Sequence, residues 1–516
     1  MDERGNCSPI QQICDHDEEV FSIENGHAQE IPYLFPLVRE GEESCTCDCK
    51  QSLNKNEEKI AKYSVESLPR RRLASLDVFR GLTIAAMILV DDAGGSWPSI
   101  NHSPWHGVTF ADFVMPFFLF IVGMSLVLSF KNINDKFDAF EKASLRALKL
   151  FALGVFLQGG YFHGSNDLSF GVDMKHLRIM GILQRISIAY FLVSCCEIFA
   201  KRSQISRREF PCFKVDAIKL ITMYPWHWVF GLAVSSVYLG LLFGLIVPDW
   251  YFETDISKNL ISNMGSNVRT VKINCDMRGD LGPACNAVGY LDRIILGINH
   301  LYRNPVYRRT QECSINSPDY GPPPPNAPAW CFAPFDPEGV LSSFMASVSC
   351  LIGAHYGHAL LHFKNDKRRL YEWVAFGMFL NALGLFIKWL GMPLNKPLYT
   401  ISYVCVTGGT AGLLFSALYT VVDVLKYRKP FILLEWMGMN ALLIFVLAAV
   451  EVFPALVRGF YWSSPQKNLV SLVEVGVFQH FIQARKWARM AYVLFEIFFW
   501  CLIAGVLKRW GIFWKL

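Results

Sequence analysis

Polar and apolar positions segregate along this chain over tens of residues. From about residue 72 onward, apolar runs recur between short polar stretches. Ten of them, starting near Leu76, Val108, Ala143, Arg178, Trp226, Gly339, Tyr371, Pro397, Phe431 and Met490, reach the roughly 20 residues that a helix needs to cross a ~30 Å hydrocarbon layer. The pattern predicts an all-α polytopic membrane protein of about ten transmembrane helices, with the lipid bilayer as its first partner. Composition agrees: 52% of the 516 residues are hydrophobic and only 18% are charged, which is too apolar for an ordinary soluble enzyme. The net charge of +5 is scattered along the chain, so no nucleic-acid partner is expected.

Ten spans put both termini on one side, and the basic residues say which. Loops after even-numbered runs carry the segment 131–146, "KRSQISRR" (201–208), "KNDKRR" (364–369) and "KYRK" (426–429), with Lys508 and Arg509 after the last run. The short loops after the first, third and seventh runs hold only Lys175 and Lys396, with Arg178 at a helix mouth. The positive-inside rule therefore predicts cytosolic termini. Residues 1–71, acidic and polar, read as a disordered cytosolic tail, and residues 72–516 as the membrane domain. The tail cluster "CTCDC" (45–49) lacks the two-residue gap of common zinc motifs and reads as unpaired thiols. The large loop 248–338 falls on the non-cytosolic side. Its four cysteines, Cys275, Cys285, Cys313 and Cys331, predict two disulfides, with all three connectivities open.

Polar residues inside these runs are the candidates for chemistry, because a charge in lipid costs roughly 2.5–3.5 kcal/mol unless it is paired or faces a wet cavity. Only Gly81 to Val90 separate Arg80 from Asp91, about 15 Å of helix, so one end of this run lies at membrane depth. Asp77 and Arg80, three apart, can pair locally. Arg178 and Arg185 fall two turns apart on one face with Gln184 beside them, an arrangement suited to an anionic, phosphate-bearing ligand. Asp112, Glu435, Glu451 and Glu496 are further buried polar candidates, the glutamates as structural partners. His355, His358 and His362 share a helix face, but Gly353 and Gly357 on the same segment favour close helix packing. No carboxylate or cysteine follows at ligand spacing, so no metal is expected. The stretch "DDAGGSWPSINHSPWHG" (91–107) offers Asp91, Asp92, Asn101, His102 and His106 with no lysine or arginine. Histidine is the side chain best placed to exchange a proton near neutral pH, and these carboxylates are close enough in chain to orient it.

The segments "RLASLDVFRGLTIAAMILV" (72–90), "HSPWHGVTFADFVMPFFLFIVGMS" (102–125), "LRIMGILQRISIAYF" (177–191), "GYLDRIILGINHLY" (289–302), "DPEG" (336–339) and "GMNALLIFV" (438–446) resemble, in the same order, the heparan-α-glucosaminide N-acetyltransferase family of transmembrane acetyltransferases. The animal members carry an additional luminal domain and an extra N-terminal helix, so this chain resembles a ten-span form. The resemblance implies transfer of an acetyl group from cytosolic acetyl-CoA to an amino-sugar or glycan acceptor across the membrane, in a lysosome or vacuole. It implies that His102 of the "H-x-x-W-x-G" loop is catalytic, with Trp105 and Gly107 completing the motif, and that His106 is the weaker candidate. His102 then acts as base or as an acetyl carrier, with Asp91 or Asp92 holding its tautomer. Arg185, Gln184 and Arg178 are expected at the phosphates or pantetheine of CoA, with Arg80 or Lys149 as alternatives, and Trp105, Asp112 and Asn101 at the acceptor. The family commonly has asparagine where this chain has Asp91. A secondary transporter is the alternative from another class, although no internal repeat supports it. The pattern leaves a homodimer open.

Overall fold

The computed structural model describes residues 73–131, 135–158, 174–200, 216–255, 268–449, 452–464 and 466–514. The tail cysteines, "KRSQISRR" and Glu451 lie outside them. The described residues belong to one compact unit, Arg72–Leu516.

Each of the ten apolar runs forms a helix. In chain order these are α1 (Ala74–Ala93), α2 (Phe110–Ser129), α3 (Lys136–Gln158), α4 (Ile182–Phe199) and α5 (Pro225–Gly244). A short helix α6 (Ala287–Ile295) follows in the large loop. Then come α7 (Val340–His362), α8 (Asp366–Trp389), α9 (Ile401–Tyr419), α10 (Ile432–Met439) and α11 (Arg485–Arg509). Seven segments (α2, α4, α5, α7, α8, Ile401–Val424 and α11) are long and apolar enough to cross a membrane. An eighth is the pair Lys429–Met439 and Ala441–Ala448, bent by 73°. The other two helices, α1 and α3, have 20 and 23 residues but carry several charges each, so length and composition alone support at most eight spans and not ten.

Close backbone approach holds the bundle together. At Gly353 of α7 an added Cβ would stand 2.0 Å from the Phe120 carbonyl oxygen of α2, and at Gly123 one would stand 1.9 Å from the Cys350 oxygen. The GxxxG spacing is thus used for packing, as small residues are in membrane helix pairs. Gly353→Val has no flexible neighbour to displace, so we expect a loss of about 3 kcal/mol from overpacking. A fall in thermal unfolding temperature in detergent, against an exposed control such as Phe379→Val, would check it.

The large loop departs from the all-α expectation. Ile246–Val247 pairs antiparallel with Met277–Arg278, and Trp250–Asp255 with Val268–Ile273. Alternating Val271, Ile273, Trp250 and Phe252 supply the apolar face that a half-buried ribbon needs. Of the three open disulfide pairings, the structure has Cys275–Cys285 and Cys313–Cys331, which close loops inside this subdomain.

Candidate active site

The polar segment between α1 and α2 is held by a helix cap. Thr109 is extended and Asp112 is the third residue of α2, so the two form a capping box, with the Thr109 amide donating to Asp112 Oδ2 at 3.0 Å. The Ser103 amide donates to the same oxygen at 3.1 Å. Asp112 is fully buried, and its other oxygen, Oδ1, lies 2.8 Å from His102 Nδ1. An ionised carboxylate only accepts, so Nδ1 carries the proton and Nε2 is left bare. Gly107 makes this fold of the loop possible: its φ is +99°, a conformation that side chains disfavour. Its amide donates to the Leu394 carbonyl at 2.8 Å, tying the loop to the segment before α9.

That segment contributes a residue that sequence reading missed. Lys396 Nζ lies 3.1 Å from His102 Nδ1, 3.4 Å from Nε2 and 3.8 Å from Asp112 Oδ1. It had served only as a loop charge in deciding orientation, and it sits 294 residues from His102. Its one available signal was that it is a solitary lysine in a loop otherwise poor in charge. Burial lowers the His102 pKa below its usual value and the Lys396 charge lowers it further, while Asp112 opposes both. Burial likewise lowers the Lys396 pKa, against the pull of Asp112 and Glu338. The result is an imidazole kept neutral, oriented by a carboxylate, with a cation beside it. Such a group can take a proton or form a bond through Nε2.

Behind this trio is a charged layer. Arg178 donates through Nε to Asp336 at 2.9 Å and through Nη2 to Asp336 and Glu338 at 2.6 and 2.5 Å. Burial opposes ionisation of Glu338, but Arg178, Arg185 and Lys396 outweigh it and hold the carboxyl below its usual range. Arg185 is fully buried and donates through Nη2 to the Pro337 carbonyl and Ser342 Oγ at 2.5 and 2.6 Å. Its Nε and Nη1 have no hydrogen-bond partner among the described residues. The guanidinium stands 5.0 Å from the centre of the Tyr399 ring.

Several expectations need correction. The carboxylate on His102 is Asp112, not Asp91 or Asp92, because the cap turns Asp112 back under the loop. Asp92 faces Arg489 instead, at 3.8 Å, and its carbonyl accepts from Arg489 Nε. Asp112, expected at the acceptor, is instead held against the imidazole and the loop amides. Trp105 is 4% exposed, donates to the Leu281 carbonyl and packs edge-on against Tyr307 and Phe335. It anchors the loop and presents no face to a sugar. Asn101 Oδ1 accepts from the His102 amide and from Arg309 Nη1, so it too shapes the loop. Arg178 is committed to two carboxylates, and Gln184 Nε2 donates to the Ile179 carbonyl. These donors are used within the protein. Of the predicted cofactor-side residues, Arg185 keeps unused donors. Arg80 pairs with Asp77 at 2.7 Å and donates to Ser125. It also lines a cavity of about 210 Å³ with Arg146, Ser129 and Tyr190. His106 is exposed, its Nδ1 3.5 Å from Asn395 Nδ2, and among the described residues no carboxylate is hydrogen-bonded to its ring. Glu435 takes a bidentate pair from Arg428, and Glu496 lines a polar cavity with Asp92, Glu474 and Arg489.

Residues 72–238 match the family model described as heparan-alpha-glucosaminide N-acetyltransferase, catalytic. The match contains His102 and Asp112 but not Lys396. The chain is 29% identical over 448 residues to the mouse protein named heparan-alpha-glucosaminide N-acetyltransferase, covering 82% of this chain and 60% of that one. It is 28% identical over 475 residues to the human protein of the same name, covering 88% and 61%. The chain thus spans about three fifths of the length of the curated relatives it matches.

Proposed function

We propose that this chain is a member of the heparan-alpha-glucosaminide N-acetyltransferase family and that it transfers an acetyl group from acetyl-CoA to the amine of a glucosamine-like sugar, with His102 as the reacting group. The observation that carries this reading is the trio His102, Asp112 and Lys396 inside the bundle. The order of the helices formed by the ten apolar runs, with basic stretches after α2, α4, α7 and α9 and at the end of α11, supports ten spans, cytosolic termini and an acceptor reached from the far side, the side to which the loop of two disulfides then belongs. Disulfides persist in such an oxidising compartment, and a lysosome or vacuole fits.

In the mechanism, Asp112 holds Nδ1–H and His102 Nε2 does the chemistry. In direct transfer Nε2 takes the proton from the acceptor amine as its nitrogen attacks the thioester carbonyl. The tetrahedral intermediate then collapses to the amide, and the thiolate leaves. In the two-step route Nε2 attacks first, becomes acetylated with loss of the thiolate, and passes the acetyl group to the amine. Lys396, 3.4 Å from Nε2, is the charge placed to meet the oxyanion that forms in either route. Arg80 and Arg146, lining their cavity toward the other end of α1, fit the CoA phosphates.

The test is labelled acetyl-CoA on the cytosolic face of sealed vesicles and a panel of amino sugars on the other. Labelled N-acetyl sugar is the expected product. Passage of an unmodified solute with no acetylation would support the transporter reading instead. The pH profile carries a further prediction. The neutral form of His102 is the active one, so activity holds above its lowered pKa and falls as pH drops through it. Lys396→Met removes the neighbouring cation and lets that pKa rise. The acid limb of kcat/KM should move to higher pH in rate profiles between about pH 5 and 8.

A further inference from the structure

Away from His102, three helices bring a second constellation together. Glu197 lies in the last turn of α4, His227 in the first turn of α5 and His358 in the last turns of α7. Each imidazole places Nε2 2.9 Å from one and the same carboxylate oxygen, Glu197 Oε2. One ligand atom from each residue lies within 4.8 Å of the others. The side chains are almost closed to solvent: 7% exposed for His227, 3% for His358 and 3% for Glu197.

Each imidazole comes from a different helix. Here both point at a single oxygen, so three donor atoms from separate helices converge on one point, as coordination requires. Bonds of about 2.0–2.1 Å in a tetrahedral site set neighbouring ligand atoms about 3.3 Å apart. The two nitrogen–oxygen distances of 2.9 Å reach that by opening a few tenths of an ångström, and the two nitrogens already lie within 4.8 Å of each other. The ring of His358 is already oriented: Tyr224 stacks on it at 3.7 Å, nearly parallel at 9°, while the Tyr224 hydroxyl is 2.8 Å from His362 Nε2. A cavity of about 160 Å³ borders Tyr224, His227 and His358 and gives room for a fourth ligand.

We propose that Glu197, His227 and His358 form a binding site for a divalent transition metal of the zinc class, with one position open to that cavity. Two neutral imidazoles and one carboxylate are a donor set suited to such an ion. The ion would join α4, α5 and α7 at the end of α4 remote from Arg185. Spacing along the chain concealed the set, because it lies on three helices and includes only one of the three histidines on α7.

The experiment uses the full chain purified in detergent. Metal content is measured as purified, and the metal-stripped protein is titrated with Co2+ while the visible bands of tetrahedral cobalt are followed. We expect one ion per chain, lost in Glu197→Gln and His358→Gln and retained in His355→Gln, which changes a neighbouring α7 histidine outside the set. A chelator should lower the unfolding temperature of the wild type and of His355→Gln, and leave His358→Gln unmoved. Absent cobalt bands in wild type, or equal metal content in wild type and His358→Gln, overturns the proposal. The wild-type chelator shift keeps the test decisive if a variant fails to fold.

Discussion

His102→Ala is expected to lower N-acetyl transfer about 10³-fold, within the range that a positioned acid–base group supplies, while the protein folds and keeps its unfolding temperature. The side chain is 29% exposed, so truncating it opens little apolar core. Its one strong bond is to Asp112, which retains the amides of Ser103 and Thr109. Asp112→Asn makes the sharper comparison. The amide keeps the shape of the cap but presents either N–H or a weaker acceptor to Nδ1, so the tautomer with bare Nε2 loses its support. We expect a fall of about 10²-fold or more in kcat, of the kind seen when the carboxylate of a catalytic triad is neutralised, with KM for acetyl-CoA little changed. Normal transfer by His102→Ala would remove the catalytic assignment. Equal losses in His106→Ala and His102→Ala would show that the loop, and not the ring, is what matters.

Arg178→Met should have the largest effect on stability. It leaves Asp336, fully buried, and Glu338, 8% exposed, without the guanidinium that neutralises them both. Removing one partner of a buried ion pair costs about 3–5 kcal/mol, because the other charge stays in place. The pair joins the entrance of α4 to the start of α7, so the expected result is aggregation or a large drop in unfolding temperature on fluorescence-detected size exclusion. The triple change Arg178→Met, Asp336→Asn, Glu338→Gln should recover part of that loss, since it removes the uncompensated charges. A soluble, unshifted Arg178→Met would show that the network carries little. This ion pair also weighs against Arg178 as a phosphate ligand, since its Nε and Nη2 are already engaged.

The helices were legible in the sequence because crossing a hydrocarbon layer demands an apolar run of fixed length, and such a run is visible without knowing its neighbours. Each of the ten runs became a helix, although the charges in α1 and α3 keep those two from being called spans on composition alone. His102 was legible because it stands in a polar loop at the end of an apolar run and in a motif resembling a known family. The pairing of four cysteines into two bridges was anticipated, but their partners were not, since spacing says nothing about which loops fold back. The strands of the large loop were missed because each is only two to six residues long, too short to leave a periodic signal. Trp105 was misjudged because an indole in a motif reads as a platform until its burial is known.

By itself, then, the sequence determined the order of helices and put a histidine in the polar loop between the first two, both of which follow from local composition; its basic loops carry the proposed sidedness. Tertiary structure decided which carboxylate the histidine meets, that Lys396 stands beside it, that Arg178 is spent on Asp336 and Glu338, and that Glu197 and His227 converge with His358. These are contacts between residues up to 294 positions apart. Helix packing brings them together by satisfying buried charge in a bundle where lipid offers it no solvation.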